Sequence, residues 1–255
     1  MLKFFKSIFC TVALALAIAL PAGSLLAQDS QKTLINGIDA DFKNFAYVEL
    51  GEAKGFDIDM INWIAEKKGL KVVHQAVPWA AIITTLKENK IDLIASGLSY
   101  SEERAEQVSF TKPYWTIKQV ILVKNDSDLT VEQVLTGGKT IGVQSGTTDM
   151  SAMEEHQGQE GRNYTLKGYT SALLAVEDMV NGRVDAAVMN NSKADEFLPI
   201  KPVKLLGLAG IPEENFAIAV NKDNPELLAT LNEGLDLIMS DPYWKELIDK
   251  WEIDK

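Results

Sequence analysis

Two distant stretches of the chain repeat one pattern. TLKENKIDLIASGLS (residues 85–99) and MVNGRVDAAVMNNS (residues 179–192) both run from a helical segment through a polar turn to an aspartate, an apolar run and small polar residues. Short strands that are almost entirely apolar are typical of parallel sheets covered on both faces. The repeat therefore predicts two similar α/β lobes, each a mostly parallel sheet flanked by helices.

The rest of the chain fits the same alternation of strands and helices. Residues 33–40 have the pattern of a strand, and residues 55–70 that of a strand end followed by a helix. Residues 225–253 predict two amphipathic helices broken at Asp241 and Pro242, and we expect their aromatic side chains to pack on the first lobe. A chain of 255 residues, 46% of them hydrophobic, can bury one large core or two modest ones.

The N-terminal segment, residues 1–27, has two lysines, an uninterrupted apolar stretch and then small residues. This order is typical of a secretory signal peptide. We expect cleavage after Ala27, with a cut after Ser24 as a second option and an uncleaved membrane anchor as the alternative. The mature protein is then expected to be soluble in an exported compartment, because no later apolar run is long enough to span a bilayer.

The chain is acidic, with a formal net charge of −11 that becomes more negative when two lysines leave with the signal peptide. This charge excludes nucleic acid as a partner, because binding phosphates needs a basic face. The single cysteine, Cys10, lies in the signal segment, so the mature chain has no thiolate to bind a metal. His74 and His156 lack a second histidine at ligand spacing, and we therefore predict no metal and no other cofactor.

Small polar residues follow three of the predicted strands, at residues 96–99, 145–148 and 190–192. In open α/β sheets, ligands bind beyond the carboxyl ends of the strands. Residues 145–148 also begin a helix, where free backbone N–H groups favour an anion. Each place alone is equally compatible with a simple capping turn, but three of them on two lobes favour a ligand site.

Four segments, in their order and spacing, resemble one protein family. They are GFDIDMINWIAEKKGLKV, KIDLIASGLSYSEERAEQVSFTKPYW, KTIGVQSGTT and NGRVDAAVMNN. They resemble the polar amino-acid branch of the bacterial periplasmic solute-binding proteins, which serve ATP-driven (ABC) importers and include lysine/arginine/ornithine, histidine and glutamine receptors. The resemblance covers nearly all of the mature chain. It implies a two-lobed fold that closes on a small-molecule ligand by a hinge motion, a monomer, and a membrane permease as partner.

The family fold has two crossovers between its lobes, which places the lobes along this chain. Lobe one is expected to comprise residues 28–115 and 213–255, and lobe two residues 116–212. The crossovers are expected near residues 116–118 and 210–213.

The resemblance assigns Arg104 to the carboxylate of the ligand. A planar guanidinium makes two parallel charge-assisted hydrogen bonds to a carboxylate, which lysine cannot reproduce. The alternative follows from three neighbouring glutamates, Glu102, Glu103 and Glu106, with which Arg104 would form a weak surface network of charges.

The resemblance implies further ligand-binding positions on both lobes. They are Ser96, Gly97 and Ser99 on lobe one, Thr147 and Thr148 as lobe-two amides, Phe42 and Trp79 as aromatic walls, and Asp39 at the far end of the pocket. The two aromatic residues are alternatively core residues, and Asp39 alternatively caps a turn.

Asn190 departs from the family pattern, because the resemblance implies an aspartate that pairs with the ammonium of the ligand. Asparagine keeps an acceptor and gains donors, but it loses the charge. Either Asp39 or Asp149 compensates for this, or the ligand has no ordinary α-amino group. A modified amino acid, a keto or hydroxy acid, or another small carboxylate then becomes possible.

Two other functions stay open. An enzyme resembling cyclohexadienyl dehydratases would use a single cleft carboxylate, since the mature chain offers no Ser/His/Asp or Cys/His constellation. A receptor for a membrane signalling protein is the other. The main prediction is a binding protein that is not an enzyme.

Four aspartates outside this pattern are expected to be structural. Asp57 and Asp59 precede a helix, so we interpret them as cap and turn residues. Asp92 and Asp185 stand at the starts of the two repeated strands, where their symmetry indicates a role in the fold.

Overall fold

The computed structural model describes residues 33–254, and the predicted signal peptide with its cleavage site lies outside these residues. Their strands are β1 (Thr33–Ile38), β2 (Asp41–Phe42), β3 (Ala46–Glu49), β4 (Glu52–Lys54), β5 (Lys71–Ala76), β6 (Leu93–Ile94), β7 (Ser109–Phe110), β8 (Trp115–Ile117), β9 (Gln119–Lys124), β10 (Lys139–Gln144), β11 (Tyr164–Tyr169), β12 (Ala186–Asn190), β13 (Val203–Leu208), β14 (Glu214–Phe216) and β15 (Ala219–Val220). Their α-helices are α1 (Phe56–Lys67), α2 (Ile82–Lys87), α3 (Glu102–Ala105), α4 (Val131–Thr136), α5 (Thr148–Gln157), α6 (Ala172–Val180), α7 (Asn191–Phe197), α8 (Pro225–Ser240) and α9 (Pro242–Trp251). No helix within residues 33–254 is long and apolar enough to cross a membrane.

Two five-stranded sheets have the same topology. The first has the order β5-β1-β6-β15-β7 and the second the order β11-β10-β12-β9-β13. In each, the first three strands pair in parallel, and the fourth strand pairs antiparallel with both of its neighbours. We call the part built on the first sheet lobe one and the part built on the second sheet lobe two. The predicted pair of α/β lobes is confirmed.

The two aspartates of the sequence repeat hold corresponding strands together. In lobe one, the carboxylate of Asp92 accepts a hydrogen bond from Ile35 N at 2.9 Å, and Asp92 N donates to Ile35 O at 2.8 Å. In lobe two, Asp185 makes the same two bonds to Thr140, both at 2.8 Å. The predicted structural role of both aspartates is confirmed.

The chain passes between the lobes twice. It leaves the first sheet after β7 and reaches β9 through β8, and it returns from β13 to β15 through β14. Strands β8 and β14 pair antiparallel, with Trp115 opposite Phe216 and Ile117 opposite Glu214. A two-stranded ribbon therefore connects the lobes. The exact boundaries at residues 115/116 and 212/213 stay predictions.

The C-terminal helices break where the sequence predicts. Asp241 caps α9 by accepting a hydrogen bond from Tyr243 N at 2.9 Å, and Pro242 occupies the first turn, where it needs no N–H partner. The rings of Trp244 and Phe56 lie edge to face with centroids 5.0 Å apart. The tail thus packs against the core of lobe one, as expected.

The interpretation of Asp57 and Asp59 as cap residues is wrong. Asp57 is fully buried, and its Oδ2 accepts hydrogen bonds from Gly97 N at 2.6 Å and Tyr114 Oη at 2.9 Å. Asp59 instead accepts bonds from Lys250 and Trp251 of α9, at 2.7 and 2.8 Å.

Asp57 fixes the turn that follows β6. Gly97 has a φ of +58°, and a Cβ at this position would lie 2.4 Å from the ring of Phe42. Burial raises the pKa of Asp57 to about 7, while the bonds from Gly97 and Tyr114 oppose this shift. One buried carboxyl group thus joins α1 and the start of the crossover to the strand end beside the cleft.

We predict that Asp57→Ala lowers the free energy of unfolding by roughly 2 to 4 kcal/mol, because two buried donors lose their acceptor. Tyr114→Phe removes one of the two bonds and is expected to cost about 1 kcal/mol. Urea unfolding measures both, with the exposed Asp126→Ala as the control. Equal unfolding midpoints for Asp57→Ala and the wild type would contradict this role.

Candidate ligand-binding site

The carboxyl ends of β1 and β6 in lobe one face those of β10 and β12 in lobe two. A cavity of about 40 Å³ lies there, which we call the small cavity. Residues of both lobes line it, among them Asp39, Phe42, Trp79, Thr147, Asn190 and Lys193. A second cavity of about 350 Å³, the large cavity, is lined by residues that include Tyr100, Arg104, Gly146, Thr147, Thr148 and Glu214. Thr147 contributes to both cavities.

Arg104 connects the lobes. It lies in the short helix α3, whose N-cap residue, Ser101, accepts a hydrogen bond from Arg104 N at 3.2 Å. Its Nη1 donates to Ser99 O at 2.8 Å, and its Nη2 donates across the cleft to Gly146 O at 3.1 Å. The guanidinium also lies 5.7 Å from the ring centroid of Trp79, whose Nε1 donates to the same Gly146 O at 3.1 Å.

The alternative of a surface charge network around Arg104 is wrong. The residue is only 8% exposed and makes no ion pair within 4 Å to any residue of the described range 33–254. Glu102 instead accepts a hydrogen bond from Tyr100 Oη at 2.9 Å. Burial lowers the pKa of Arg104, and Glu214, Asp149 and Glu103 act in the opposite direction. A guanidinium stays protonated in proteins, so a buried positive charge faces the cleft.

The start of α5 supplies the lobe-two side. Thr147 is the N-cap residue: its Oγ1 accepts from Met150 N at 3.2 Å and donates to Gln144 O at 2.8 Å. Thr148 Oγ1 donates to Oε2 of Glu214, in the ribbon strand β14, at 2.6 Å. The first N–H groups of a helix have no intrahelical acceptor, and the helix dipole favours an anion beside them.

The predicted lobe-one residues at 96–99 have different surroundings. Ser96 is fully buried, and its Oγ accepts from Asp39 N at 2.9 Å. Gly97 lines the small cavity, although its N–H is already bonded to Asp57. Ser99 uses its carbonyl oxygen for Arg104. Of these three residues, only Gly97 lines a cavity, whereas Ser96 and Ser99 hold Asp39 and Arg104 in position.

Phe42, Trp79 and Asp39 all line the small cavity. Phe42 also packs edge to face on Phe216 with centroids 6.1 Å apart, so it belongs to the core of lobe one as well. Asp39 Oδ1 accepts a hydrogen bond from Asp41 N at 3.2 Å, as the alternative role of Asp39 in capping a turn predicts. Burial raises the pKa of Asp39, and nearby Lys193 lowers it.

Asn190 ends β12 and is the N-cap residue of α7. Its Oδ1 accepts a hydrogen bond from Lys193 N at 2.8 Å. Since it also lines the small cavity, it serves both the fold and the site.

Sequence reasoning did not find a second connection between the lobes, at Lys193 and Glu196 of α7. Lys193 Nζ donates to Asp41 O of lobe one and lies 3.0 Å from Glu196 Oε2. Glu196 Oε1 accepts from Lys43 N of lobe one at 2.8 Å. Both side chains are buried, and burial raises the pKa of Glu196 to about 7 although Lys193 opposes the shift. In the sequence these residues look like an ordinary surface pair spaced i, i+3.

Asp149 is a buried carboxyl group on the wall of the small cavity. It is 6% exposed and makes no hydrogen bond within residues 33–254. Burial, with a smaller contribution from Glu214, raises its pKa to about 8, while Arg104 opposes this shift. At neutral pH the group is therefore mostly protonated and uncharged.

The size of the small cavity limits what fits without movement. Its volume of about 40 Å³ is close to that of one water molecule, and pockets for small molecules occupy roughly 300 to 1,000 Å³. A small molecule therefore enters the small cavity only if the lobes separate. The contacts just described between the lobes are a few directed bonds at Gly146, Asp41 and Lys43, which such a motion can break.

The chain is similar to known proteins over nearly its whole described length. Residues 34–254 match the family model of the bacterial extracellular solute-binding proteins, family 3. A probable histidine-binding protein of Campylobacter jejuni is 32% identical over 226 residues, which is 87% of this chain and 86% of that protein.

Solved structures agree with this match. An ancestral arginine-binding protein bound to arginine is 33% identical, with a TM-score of 0.78, covering 86% of this chain and 97% of that one. An ancestral amino acid-binding protein, described as a precursor of cyclohexadienyl dehydratase, is 31% identical, with a TM-score of 0.77, covering 86% of this chain and 94% of that one. The family and the two-lobed fold predicted from the sequence are thereby confirmed: the chain belongs to family 3 of the bacterial extracellular solute-binding proteins.

Proposed function

We propose that this substrate-binding protein captures an amino acid or a related small carboxylate in the cleft between its lobes and delivers it to the permease of an ABC transporter. The environment of Arg104 supports this most directly. Withdrawing a charge from water costs several kcal/mol unless an opposite charge compensates for it. Arg104 is buried without an ion-pair partner in the described range, so an anionic ligand would supply the missing charge.

In this proposal, the carboxylate of the ligand replaces the backbone carbonyl groups of Ser99 and Gly146 at the guanidinium. The N-terminal N–H groups of α5 meet the same carboxylate from lobe two. A ligand shifts the open–closed equilibrium only through contacts that are stronger in one state, and a carboxylate held from both lobes provides them. Micromolar affinity requires about −8 kcal/mol net, which a charge-assisted pair, several neutral bonds and the walls of Phe42 and Trp79 can supply.

Compartment and partner follow from the family and from the N-terminal segment. The family is described as extracellular, and residues 1–27 have the pattern of a signal peptide. We place the mature protein in the periplasm as a monomer. The relatives are named for binding histidine or arginine, which makes polar amino acids the first ligands to test.

Arg104→Lys is expected to weaken binding about 10- to 100-fold, because lysine keeps the charge but loses the bidentate geometry. Calorimetric titration with the common amino acids and small carboxylates measures this. Arg183→Lys is the matched control, since Arg183 is exposed and pairs only with Asp178. Unchanged affinity in Arg104→Lys for a ligand that binds the wild type would overturn the proposed role of Arg104.

One observation favours an enzyme as the second candidate. A protonated carboxyl group in a cleft is suited to general acid chemistry, and Asp149 has the burial that produces one. Binding without chemistry is the better proposal, because neither histidine lines the small or the large cavity. His156 bonds to Tyr164 at 3.0 Å, and His74 bonds to Asn36 and Asn62 at 3.1 and 3.0 Å.

The protonation of Asp149 has a consequence for stability. Its ordinary pKa is 3.8 and its pKa in the folded protein is about 8, so the folded protein binds more protons between these values. Rising pH therefore favours unfolding. We predict that the stability of the wild type falls through this window more steeply than that of Asp149→Asn, by up to about 1.4 kcal/mol per pH unit.

Urea unfolding at a series of pH values tests this, with Asp126→Asn as the control. Parallel curves for the wild type and Asp149→Asn would mean that Asp149 is ionised when folded. The enzyme alternative would then have no protonated carboxyl group at Asp149 to act as its general acid.

A further inference from the structure

The lobe-two wall of the small cavity offers a donor at Asn190. The backbone N–H of Lys193 bonds to the side chain of Asn190 at 2.8 Å, and only the amide oxygen can accept it. That bond occupies one of the two lone pairs of the oxygen, whereas both hydrogens of Nδ2 are free, because Nδ2 makes no hydrogen bond to any residue in the range 33–254. Since Asn190 lines the cavity, a ligand there meets amide hydrogens.

Lys193 adds a positive charge to the same wall. Its side chain is buried, lines the small cavity and lies 5.3 Å from the ring centroid of Phe42. Glu196 Oε2, at 3.0 Å, partly balances the charge from within α7. The end of β12 and the first turn of α7 together present N–H donors and a cation.

The two acids of the cavity do not reverse this pattern. Burial raises the pKa of Asp39 although nearby Lys193 acts in the opposite direction, and one oxygen of Asp39 is bonded to Asp41 N. The buried carboxyl group of Asp149 is mostly uncharged at neutral pH and interacts with Arg104 and Glu214. An ammonium group beside Asn190 would therefore meet donors and a second ammonium group.

We propose that the ligand presents an oxygen acceptor to Asn190 and Lys193, as the 2-oxo or 2-hydroxy group of a carboxylate anchored at Arg104, instead of the ammonium group of an α-amino acid. This inference rests on the proposed function, because it assumes capture at Arg104. Thr147 lines both cavities, and in this proposal the atoms next to a carboxylate at Arg104 enter the small cavity beside it. A keto or hydroxyl oxygen accepts from Nδ2 and from the lysine ammonium, whereas an ammonium accepts from neither.

Asn190→Asp tests the inference, because it exchanges the free NH₂ for an oxygen and keeps the oxygen that caps α7. Asn191→Asp is the matched control. It adds the same charge one residue away, where Asn191 Oδ1 accepts from Lys118 N at 2.9 Å. Thermal unfolding of each variant establishes that it is folded.

Protein expressed from the full-length sequence is titrated by calorimetry with matched series that differ only at the 2-position. The series are arginine, glutamate, phenylalanine and histidine, each with its 2-oxo and 2-hydroxy analogue. We expect the wild type to bind the oxo or hydroxy member of at least one series about 10-fold or more tightly than the amino member. Asn190→Asp is expected to abolish or reverse this preference, and Asn191→Asp to keep it.

Two results would overturn the inference, and only the second of them would also contradict the proposed function. If the wild type binds the amino member as tightly as its analogues, or more tightly, the donor wall does not select the ligand, while capture at Arg104 stands. If no member of any series binds the folded wild type or the folded Asn190→Asp variant, the proposed function fails together with the inference.

Discussion

A buried positive charge without a paired anion is the constraint on which the site depends. The guanidinium of Arg104 is held by backbone carbonyl groups from both lobes, at Ser99 and Gly146, and not by a carboxylate. Carbonyl dipoles orient the guanidinium, but they do not neutralise it as an anion would. Glu214, Asp149 and Glu103 are near enough to act on the pKa of Arg104, but none of them forms an ion pair with it within 4 Å. In the proposed function, the carboxylate of the ligand supplies the paired anion, and the closing of the two lobes covers it.

Most of the fold could be predicted because it repeats. Asp92 and Asp185 begin equivalent strands, and this symmetry could be recognised in the sequence. The small antiparallel sheet of β2, β3 and β4 was not predicted, since strands of two to four residues carry too little periodicity. Asp57 was misinterpreted for another reason. An acid at the start of a helix normally caps it, and only the tertiary structure brings Gly97 N and Tyr114 Oη to this carboxyl group.

Sequence reasoning named many residues that line the two cavities, and the residues that it missed lie where the two lobes meet. A resemblance to known proteins transfers positions that match a motif, such as Arg104 and Thr147. It carries no information on Lys193 and Glu196, whose spacing is that of any solvated helix pair. Their burial arises only when α7 meets the segment from Asp41 to Lys43 of the other lobe. The periodicity of a sequence reports packing within a lobe, so it carries no signal for contacts between the two lobes.

The side chain of Asn190 meets two requirements at once, one from the fold and one from the cavity. The fold needs an oxygen here to cap α7, and aspartate and asparagine both supply it. The second polar atom of the side chain takes no part in the cap. Exchanging oxygen for NH₂ there keeps the cap of α7 and changes only the group that lines the cavity. The sequence identified position 190, but it did not show whether the oxygen or the NH₂ group of the amide is available to a ligand. The bond to Lys193 N fixes which way the amide is oriented, with one lone pair of its oxygen occupied and both amide hydrogens free.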